Sequence, residues 1–175
     1  NLPSQTTTQM VADVREAIAL GFDQICVYHL VLAAGQGTPW AENPAMMQAL
    51  PSVEQACNHW LAVRESLLAG GYVQTTLTNF ERAEVHASER RFVYEQCSFE
   101  PARYDALGFG PLSLSTFVDV PRRRAVKLAR AKAIGDALWT ARDLLFKYDE
   151  EDWRLLYLTR TLARLRISCV AYREL

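Results

Sequence analysis

Hydrophobic residues recur at helical spacing after two helix-start patterns in the first seventy residues. The segments 6–9 (Thr-Thr-Thr-Gln) and 52–55 (Ser-Val-Glu-Gln) have the capping-box pattern, in which a hydroxyl side chain and a glutamine bind free main-chain N–H groups of the first turn. The apolar stripe after the first segment predicts a helix that ends at Gly21. The stripe after the second segment predicts another helix, which ends at Gly70.

Two short apolar runs follow these helices and predict strands. Residues 25–32 are nearly all apolar or β-branched, which is typical of a strand buried on both faces in a parallel sheet. Residues 72–77 (Tyr-Val-Gln-Thr-Thr-Leu) are β-branched and aromatic, and they predict a second strand. Residues 33–51, rich in glycine and proline, indicate a long functional or disordered loop. The pattern as a whole predicts an α/β fold.

The segment 104–116 combines a glycine pair with an alternating run. Its leucines and serines alternate after Pro111, which predicts a strand with one packed face and one open face. The preceding Gly108 and Gly110 would let another backbone or a ligand approach where a Cβ atom would collide. Because glycine pairs also occur in purely structural bulges, both interpretations stay open.

The last third of the chain has a helical composition. Residues 122–147 are rich in Ala, Leu, Arg and Lys, and they predict one helix. A further helix is predicted to begin near Asp149 and to run past Leu165, with Trp153 among its apolar members.

Composition narrows the classes of function. The chain has 175 residues, of which 50% are hydrophobic and 22% charged, as in a globular protein with a substantial core. A net charge of −1 gives no strong attraction to nucleic acid, and no apolar run is long enough to cross a bilayer. We therefore predict neither nucleic acid nor membrane as a partner. The start at Asn1 rather than at methionine suggests that the sequence is a fragment.

Few residues indicate metal or acid–base chemistry. The four cysteines lack the spacing of zinc or cluster loops, which predicts no metal ligands in this chain and a reducing cytoplasm, with Cys26 as a core residue. We interpret His59 and His86 as ordinary imidazoles. His29 follows Tyr28 near the end of a predicted buried strand, where ligands collect in parallel α/β folds, so a core role and a ligand contact are both open.

Eight short segments occur in the order found in one enzyme family. Residues 2–6 (Leu-Pro-Ser-Gln-Thr) resemble the Gly-Leu-Pro-Gly-Gln-Thr segment of the oxygen-independent coproporphyrinogen III oxidase (HemN-like) family of radical SAM enzymes. The other similar segments are 27–30 (Val-Tyr-His-Leu), 37–39 (Gly-Thr-Pro), 50–52 (Leu-Pro-Ser), 71–72 (Gly-Tyr), 79–82 (Asn-Phe-Glu-Arg), 92–94 (Phe-Val-Tyr) and the Leu-Gly-x-Gly bend at 107–115. Their order and spacing match over nearly the whole chain, which makes the resemblance specific for the superfamily.

The resemblance implies a fold and a cofactor site. Residues 1–120 would form the late strands of a TIM-like radical SAM barrel with a β extension, and residues 121–175 a helical segment that starts the C-terminal domain. Main-chain groups at the end of one strand would meet the adenine of S-adenosylmethionine, and the glycine bend would line the cavity for a second S-adenosylmethionine or the substrate. The residues implied to bind these groups are Tyr28, His29, Leu30, Gly108, Phe109 and Gly110.

The same resemblance implies an activity for a longer parent protein. That protein would use S-adenosylmethionine and a [4Fe-4S] cluster, held by cysteines upstream of Asn1, to generate a 5′-deoxyadenosyl radical. It would act on a porphyrin or another conjugated small molecule. The chain alone is expected to be inactive. Residues 89–91 (Glu-Arg-Arg) replace the family's Arg-His-Asn, so methyl transfer or cyclopropanation fits as well as oxidative decarboxylation.

Two further hypotheses accompany the hypothesis of a radical SAM enzyme. The alternative function is a non-catalytic heme-binding or heme chaperone module of the same fold, with His29 or His86 as the axial ligand. A partial barrel would also expose a strand edge, which invites pairing with another chain, so we predict a homodimer.

Overall fold

A computed structural model describes residues 1–30, 32, 39–100, 103–110, 113–119, 121, 124–129 and 144–165. The chain divides into two compact units, Asn1–Phe92 and Val93–Leu175. The domain division predicted after residue 120 stays a prediction. No helix in the described part of the chain is both long and apolar enough to cross a membrane.

Unit 1 contains the two helices that the capping boxes predict. Its elements are α1 (Thr7–Ala19), β1 (Gln24–Cys26), α2 (Pro44–Gln48), α3 (Val53–Ala69), β2 (Tyr72–Gln74), β3 (Asn79–Arg82) and α4 (Ala83–His86). Thr6 and Ser52 are the N-caps of α1 and α3, and each exchanges both capping-box hydrogen bonds with the glutamine three residues on. Both helix starts are therefore confirmed.

The sheet of unit 1 is antiparallel and has the strand order β1-β3-β2. Ile25 lies opposite Phe80, and Val73 lies opposite Glu81. The prediction of a parallel strand over 25–32, buried on both faces, is wrong for the described residues, because β1 ends at Cys26 and its residues are half-buried or exposed. The last sheet contact is the hydrogen bond from the Val27 N–H to the Thr78 carbonyl oxygen, at 2.7 Å. β3 begins one residue after Thr78, and within the described ranges no strand pairs with residues 28–30.

The core of unit 1 joins both long helices to the sheet. Met10 of α1, Val63 and Leu67 of α3, Tyr72 of β2 and Phe80 of β3 form one buried cluster. Leu67 and Phe80 have no exposed surface. Burying a side chain of this size stabilises a fold by about 1.5–3 kcal/mol, so this cluster fixes how the helices lie on the sheet.

Unit 2 contains a second antiparallel sheet. Its elements are α5 (Tyr94–Ser98), β4 (Leu114–Asp119), β5 (Arg124–Ala129), β6 (Leu144–Tyr148) and α6 (Glu150–Ala163). The strands pair in chain order, β4 with β5 and β5 with β6. Asp149 caps α6 by accepting hydrogen bonds from the N–H groups of Glu151 and Asp152, which confirms the predicted start of this helix. The helix ends at Ala163, so the prediction that it runs past Leu165 is wrong.

The helix predicted over residues 122–147 is wrong at both of its described ends. Residues 124–129 and 144–148 are strands, and residues 130–143 lie outside the described residues. Ala, Leu and Lys favour helices only weakly, and pairing with neighbouring strands overrides that preference. In the ladder Val126 lies opposite both Phe117 and Lys147, so β5 gains hydrogen bonds on both sides.

Candidate functional site

A cavity of about 380 Å³ lies in unit 1 beside the end of β1. We call it the histidine cavity. Its described lining residues are Asn1, Met10, Val27, Tyr28, His29, Pro51, Val53, Ala56, Cys57, His59, Trp60, Val63, Leu77 and Thr78. Most of the wall is apolar, and Met10 and Val63 also belong to the core. An apolar cavity with a few polar groups is the usual form of a small-molecule site.

Asn1 joins the two histidines of this cavity. Its side-chain Nδ2 donates a hydrogen bond to Nδ1 of His29 at 2.9 Å, and Nδ1 of His59 donates to its Oδ1 at 3.0 Å. The amide orientation thereby assigns opposite tautomers, with the proton on Nε2 in His29 and on Nδ1 in His59. His29 retains an N–H donor at Nε2, and His59 retains a lone pair there. The pair can therefore offer a ligand one donor and one acceptor.

Sequence reasoning missed two members of this arrangement. His59 was interpreted as an ordinary imidazole, and the Asn1 segment had no assigned side-chain role. The hydrogen bond between them joins residues 58 positions apart, and no local pattern reports such a contact. The half-buried His59 lies on α3, three residues after the buried Ala56 and four before the buried Val63. This spacing puts the three residues on one face of the helix, which is a local sign that His59 faces the interior.

Of the three implied adenine contacts, Tyr28 and His29 line the histidine cavity and Leu30 does not. The Tyr28 side chain is 64% exposed. No hydrogen bond in the described part of the chain uses the main-chain groups of His29 or Leu30. Main-chain groups just past a strand end can therefore meet a ligand here. The cofactor contact itself stays a prediction.

The glycine bend lies in unit 2 and has a structural reason. The N–H of Gly108 donates to the buried Oγ of Ser115 at 3.0 Å, and a Cβ atom at Gly108 would lie 2.9 Å from the backbone nitrogen of Leu114. Gly110 has φ +88°, a left-handed conformation that side chains disfavour. The predicted close approach of a backbone is thus confirmed. Phe109 is 84% exposed, and its ligand contact stays a prediction.

A second cavity, of about 240 Å³, lies within unit 2. We call it the arginine cavity. Its described lining residues are Tyr94, Glu95, Ser98, Phe99, Tyr104, Ala106, Leu114, Thr116, Val118, Leu156 and Arg160. Ala106 and Thr116 exchange two backbone hydrogen bonds, at 2.9 and 2.8 Å, which place the arms of the glycine bend in this wall. The six implied cofactor residues therefore fall into two groups, one in each unit.

The third histidine, His86, is hydrogen-bonded to a buried carboxylate. Glu81 of β3 is buried, with Oε2 2.8 Å from Nδ1 of His86 and Oε1 accepting from the N–H of Phe92 at 2.6 Å. A buried carboxylate needs such partners, because leaving it unpaired costs several kcal/mol. Glu81 thereby holds both the end of α4, through His86, and the segment after it, through Phe92, on the sheet.

Cysteines do not gather in the described structure. Cys26, Cys57 and Cys97 are not disulfide-bonded and lie on separate elements. Cys26 is exposed, so its predicted place in the core is wrong; it is the last residue of a strand that leaves the sheet. No group of three His, Cys, Asp or Glu side chains able to hold a metal forms among the described residues. The donors present here do not fit a [4Fe-4S] cluster, which needs about four thiolates.

Comparison with solved structures finds one similar fold. The chain is similar to coproporphyrinogen III oxidase (HemN) from Escherichia coli, a radical SAM enzyme, with a TM-score of 0.58 and 14% sequence identity. The match covers 98% of this chain and 41% of that protein. No protein-family model matches the chain, and no curated protein matches it in sequence. At this identity the likeness shows the fold: a mixed α/β structure similar to part of a radical SAM enzyme.

Proposed function

We propose that this chain is the C-terminal portion of a HemN-like radical SAM enzyme. The parent enzyme acts on a porphyrin or another conjugated small molecule by oxidative decarboxylation, methyl transfer or cyclopropanation. The observation that carries the proposal is the structural similarity to HemN over 98% of the chain, together with the ordered HemN-like segments. The chain spans 41% of that neighbour's length, so the remaining parts of such an enzyme lie in other sequence.

The histidine cavity suits the adenosine portion of S-adenosylmethionine. Its apolar wall can cover a purine ring. The ring edge can bond to main-chain groups of His29, which lines the cavity, and of Leu30, which follows it just outside the lining. Tyr28 stands at the rim, where an aromatic ring can cover the ligand and reduce its contact with water. When bound, S-adenosylmethionine supplies the radical chemistry, and these residues bind and orient it. The cluster is assigned to residues outside this chain, because the cysteines described here do not fit it.

Main-chain recognition can be tested with a proline and alanine pair at position 30. Leu30→Pro removes the main-chain N–H, whereas Leu30→Ala keeps it and removes only the side chain. In the reconstituted full-length protein we expect Leu30→Pro to weaken S-adenosylmethionine binding about fivefold or more, the loss of one hydrogen bond. We expect Leu30→Ala to bind S-adenosylmethionine with nearly the affinity of the unsubstituted full-length protein.

The enzyme assay measures 5′-deoxyadenosine formed from S-adenosylmethionine under anaerobic reduction. The parent protein should form it, and Leu30→Pro should form less at limiting cofactor. Far-UV circular dichroism of each variant checks that the fold is kept. Absence of 5′-deoxyadenosine from an iron-loaded parent would contradict the proposed activity.

A heme-binding module is the second candidate, and the tautomers favour His59 for it. A histidine that ligates iron through Nε2 usually carries its proton on Nδ1 and donates it to a neighbour, as His59 does to Asn1. His29 has the opposite tautomer, and four of the five described lining residues of the cavity at His86 are polar or charged, which suits heme poorly. Heme titration of the chain should give a Soret shift that His59→Ala removes and His86→Ala keeps. No shift in the parent chain would exclude this candidate.

A further inference from the structure

The arginine cavity holds a cation without an acidic partner in the described structure. Three arginines lie on α6 and at its end, and two of them form ion pairs: Arg154 with Glu150 at 2.9 Å and Arg164 with Glu100 at 3.3 Å. For Arg160, no carboxylate lies within ion-pair distance among the residues described. The Arg160 guanidinium can therefore accept a new anionic partner without first giving one up.

One aromatic ring lies beside this guanidinium, and two more line the same cavity. The Cζ atom of Arg160 lies 5.4 Å from the centroid of the Phe99 ring, a cation–π distance. Tyr94 and Tyr104 line the same cavity and are 67% and 46% exposed, which leaves ring surface open to a ligand. The guanidinium is planar, and a ring beneath it restricts its orientation. Its parallel N–H groups match the two oxygens of a carboxylate.

Volume and charge limit the class of ligand. The 240 Å³ of the cavity lies below the roughly 300–1,000 Å³ typical of drug-sized ligands, so it takes a molecule of one or two rings. Arg160 is the cation in its described lining, and the fork of one guanidinium matches the two oxygens of one carboxylate. The site is thus built for one negative charge and one flat apolar body.

We propose that the arginine cavity binds a small aromatic monocarboxylic acid. The carboxylate pairs with Arg160, and the ring lies against Tyr94 and Tyr104. This is a ligand site of its own, in a different unit from the histidine cavity, and it needs neither a cluster nor S-adenosylmethionine. It therefore goes beyond the proposed radical enzyme.

The test is a calorimetric titration of the 175-residue chain with 2-naphthoate and with 2-naphthamide. The two probes share their rings and differ in charge. We expect the acid to bind about tenfold tighter or more, because a charge-assisted hydrogen bond exceeds a neutral one by that order.

Variants on α6 assign the preference to one residue. Arg160→Met should bind the acid and the amide equally, and Arg160→Lys should keep part of the preference, since it keeps the charge but loses the planar fork. Arg154→Met, which breaks the exposed pair with Glu150 and lies outside the cavity lining, should retain the full preference. A thermal unfolding curve for each variant checks the fold, and Arg160→Lys decides the case if Arg160→Met unfolds.

Three results would overturn the assignment: no binding of either probe, equal affinity of the parent chain for acid and amide, or an acid preference that survives in Arg160→Met. Formation of 5′-deoxyadenosine by the full-length protein is measured independently. A failure of either proposal therefore leaves the other one standing.

Discussion

Units 1 and 2 each contain three antiparallel strands, but the strands are buried to different extents. In unit 1 the middle strand β3 is covered on both sides, with Asn79, Phe80 and Glu81 almost inaccessible. In unit 2 the apolar side chains Phe117 and Phe146 are 42% and 48% exposed on β4 and β6. A three-stranded sheet gains stability mainly from what packs on its faces. Among the described residues, β3 is therefore closely packed, whereas β4 and β6 each leave an aromatic side chain largely accessible.

The largest expected effect tests the covered strand of unit 1. Phe80→Ala should lower the free energy of unfolding by about 3–5 kcal/mol, because it removes a fully buried ring from the centre of the core. Phe109→Ala in unit 2 is the matched control, since this ring is 84% exposed, and it should change the free energy by less than about 0.5 kcal/mol. Urea unfolding followed by circular dichroism measures both. Equal effects would show that Phe80 is not a core residue.

The next effect concerns the buried carboxylate of the same strand. Glu81→Gln should lower the free energy of unfolding by about 2 kcal/mol, because it weakens the buried hydrogen bonds to His86 and to the Phe92 N–H. Glu84→Gln, which breaks an exposed pair with Arg82, should cost less than about 1 kcal/mol. The same urea titration compares them. A smaller loss in Glu81→Gln than in Glu84→Gln would contradict the assigned burial.

The glycine bend offers a comparison within unit 2. Gly108→Ala should cost about 1–2 kcal/mol and lower hydrogen-exchange protection at the Thr116 amide, since the new Cβ collides with the Leu114 backbone. Gly110→Ala has open space around its Cβ but a positive φ, so it should cost about 1 kcal/mol through backbone strain alone. If Gly108→Ala left Thr116 fully protected, the close approach would be wrong.

Helix caps should give the smallest difference between the units. Ser52→Ala removes the cap of α3, and Asp149→Ala removes the cap of α6; each should cost about 1 kcal/mol. Thermal unfolding of the two variants provides the measurement. A cap acts locally, so its effect should not depend on how well the neighbouring sheet is covered. A large difference between the two would indicate that one of the helices begins elsewhere.

Local signals made some elements predictable. The hydrogen bonds of the capping boxes join residues three apart, and the sequence displays them directly at Thr6 and Ser52. The glycine bend was also predictable, because only glycine tolerates the contact that Gly108 makes with the backbone of Leu114.

Other features depend on distant partners and could not be predicted. Residues 124–129 favour a helix by composition, yet strand neighbours on both sides make them β5. Residues 25–32 suggested a buried parallel strand. In the structure β1 pairs with β3 in antiparallel orientation, and this pairing ends at Cys26. The Asn1 bridge between His29 and His59 spans 58 residues and leaves no sequence pattern. The arginine cavity was also hidden, because Arg160 resembles its neighbours on an arginine-rich helix.

The most direct test of the central proposal is iron and sulfide analysis of the full-length gene product after anaerobic purification, with intact mass to define the chain. The account predicts a chain longer than these 175 residues, with about four irons and a similar amount of sulfide per protomer. A product of 175 residues that holds no iron after reconstitution would contradict it. That result would assign the HemN-like fold to a binding role instead.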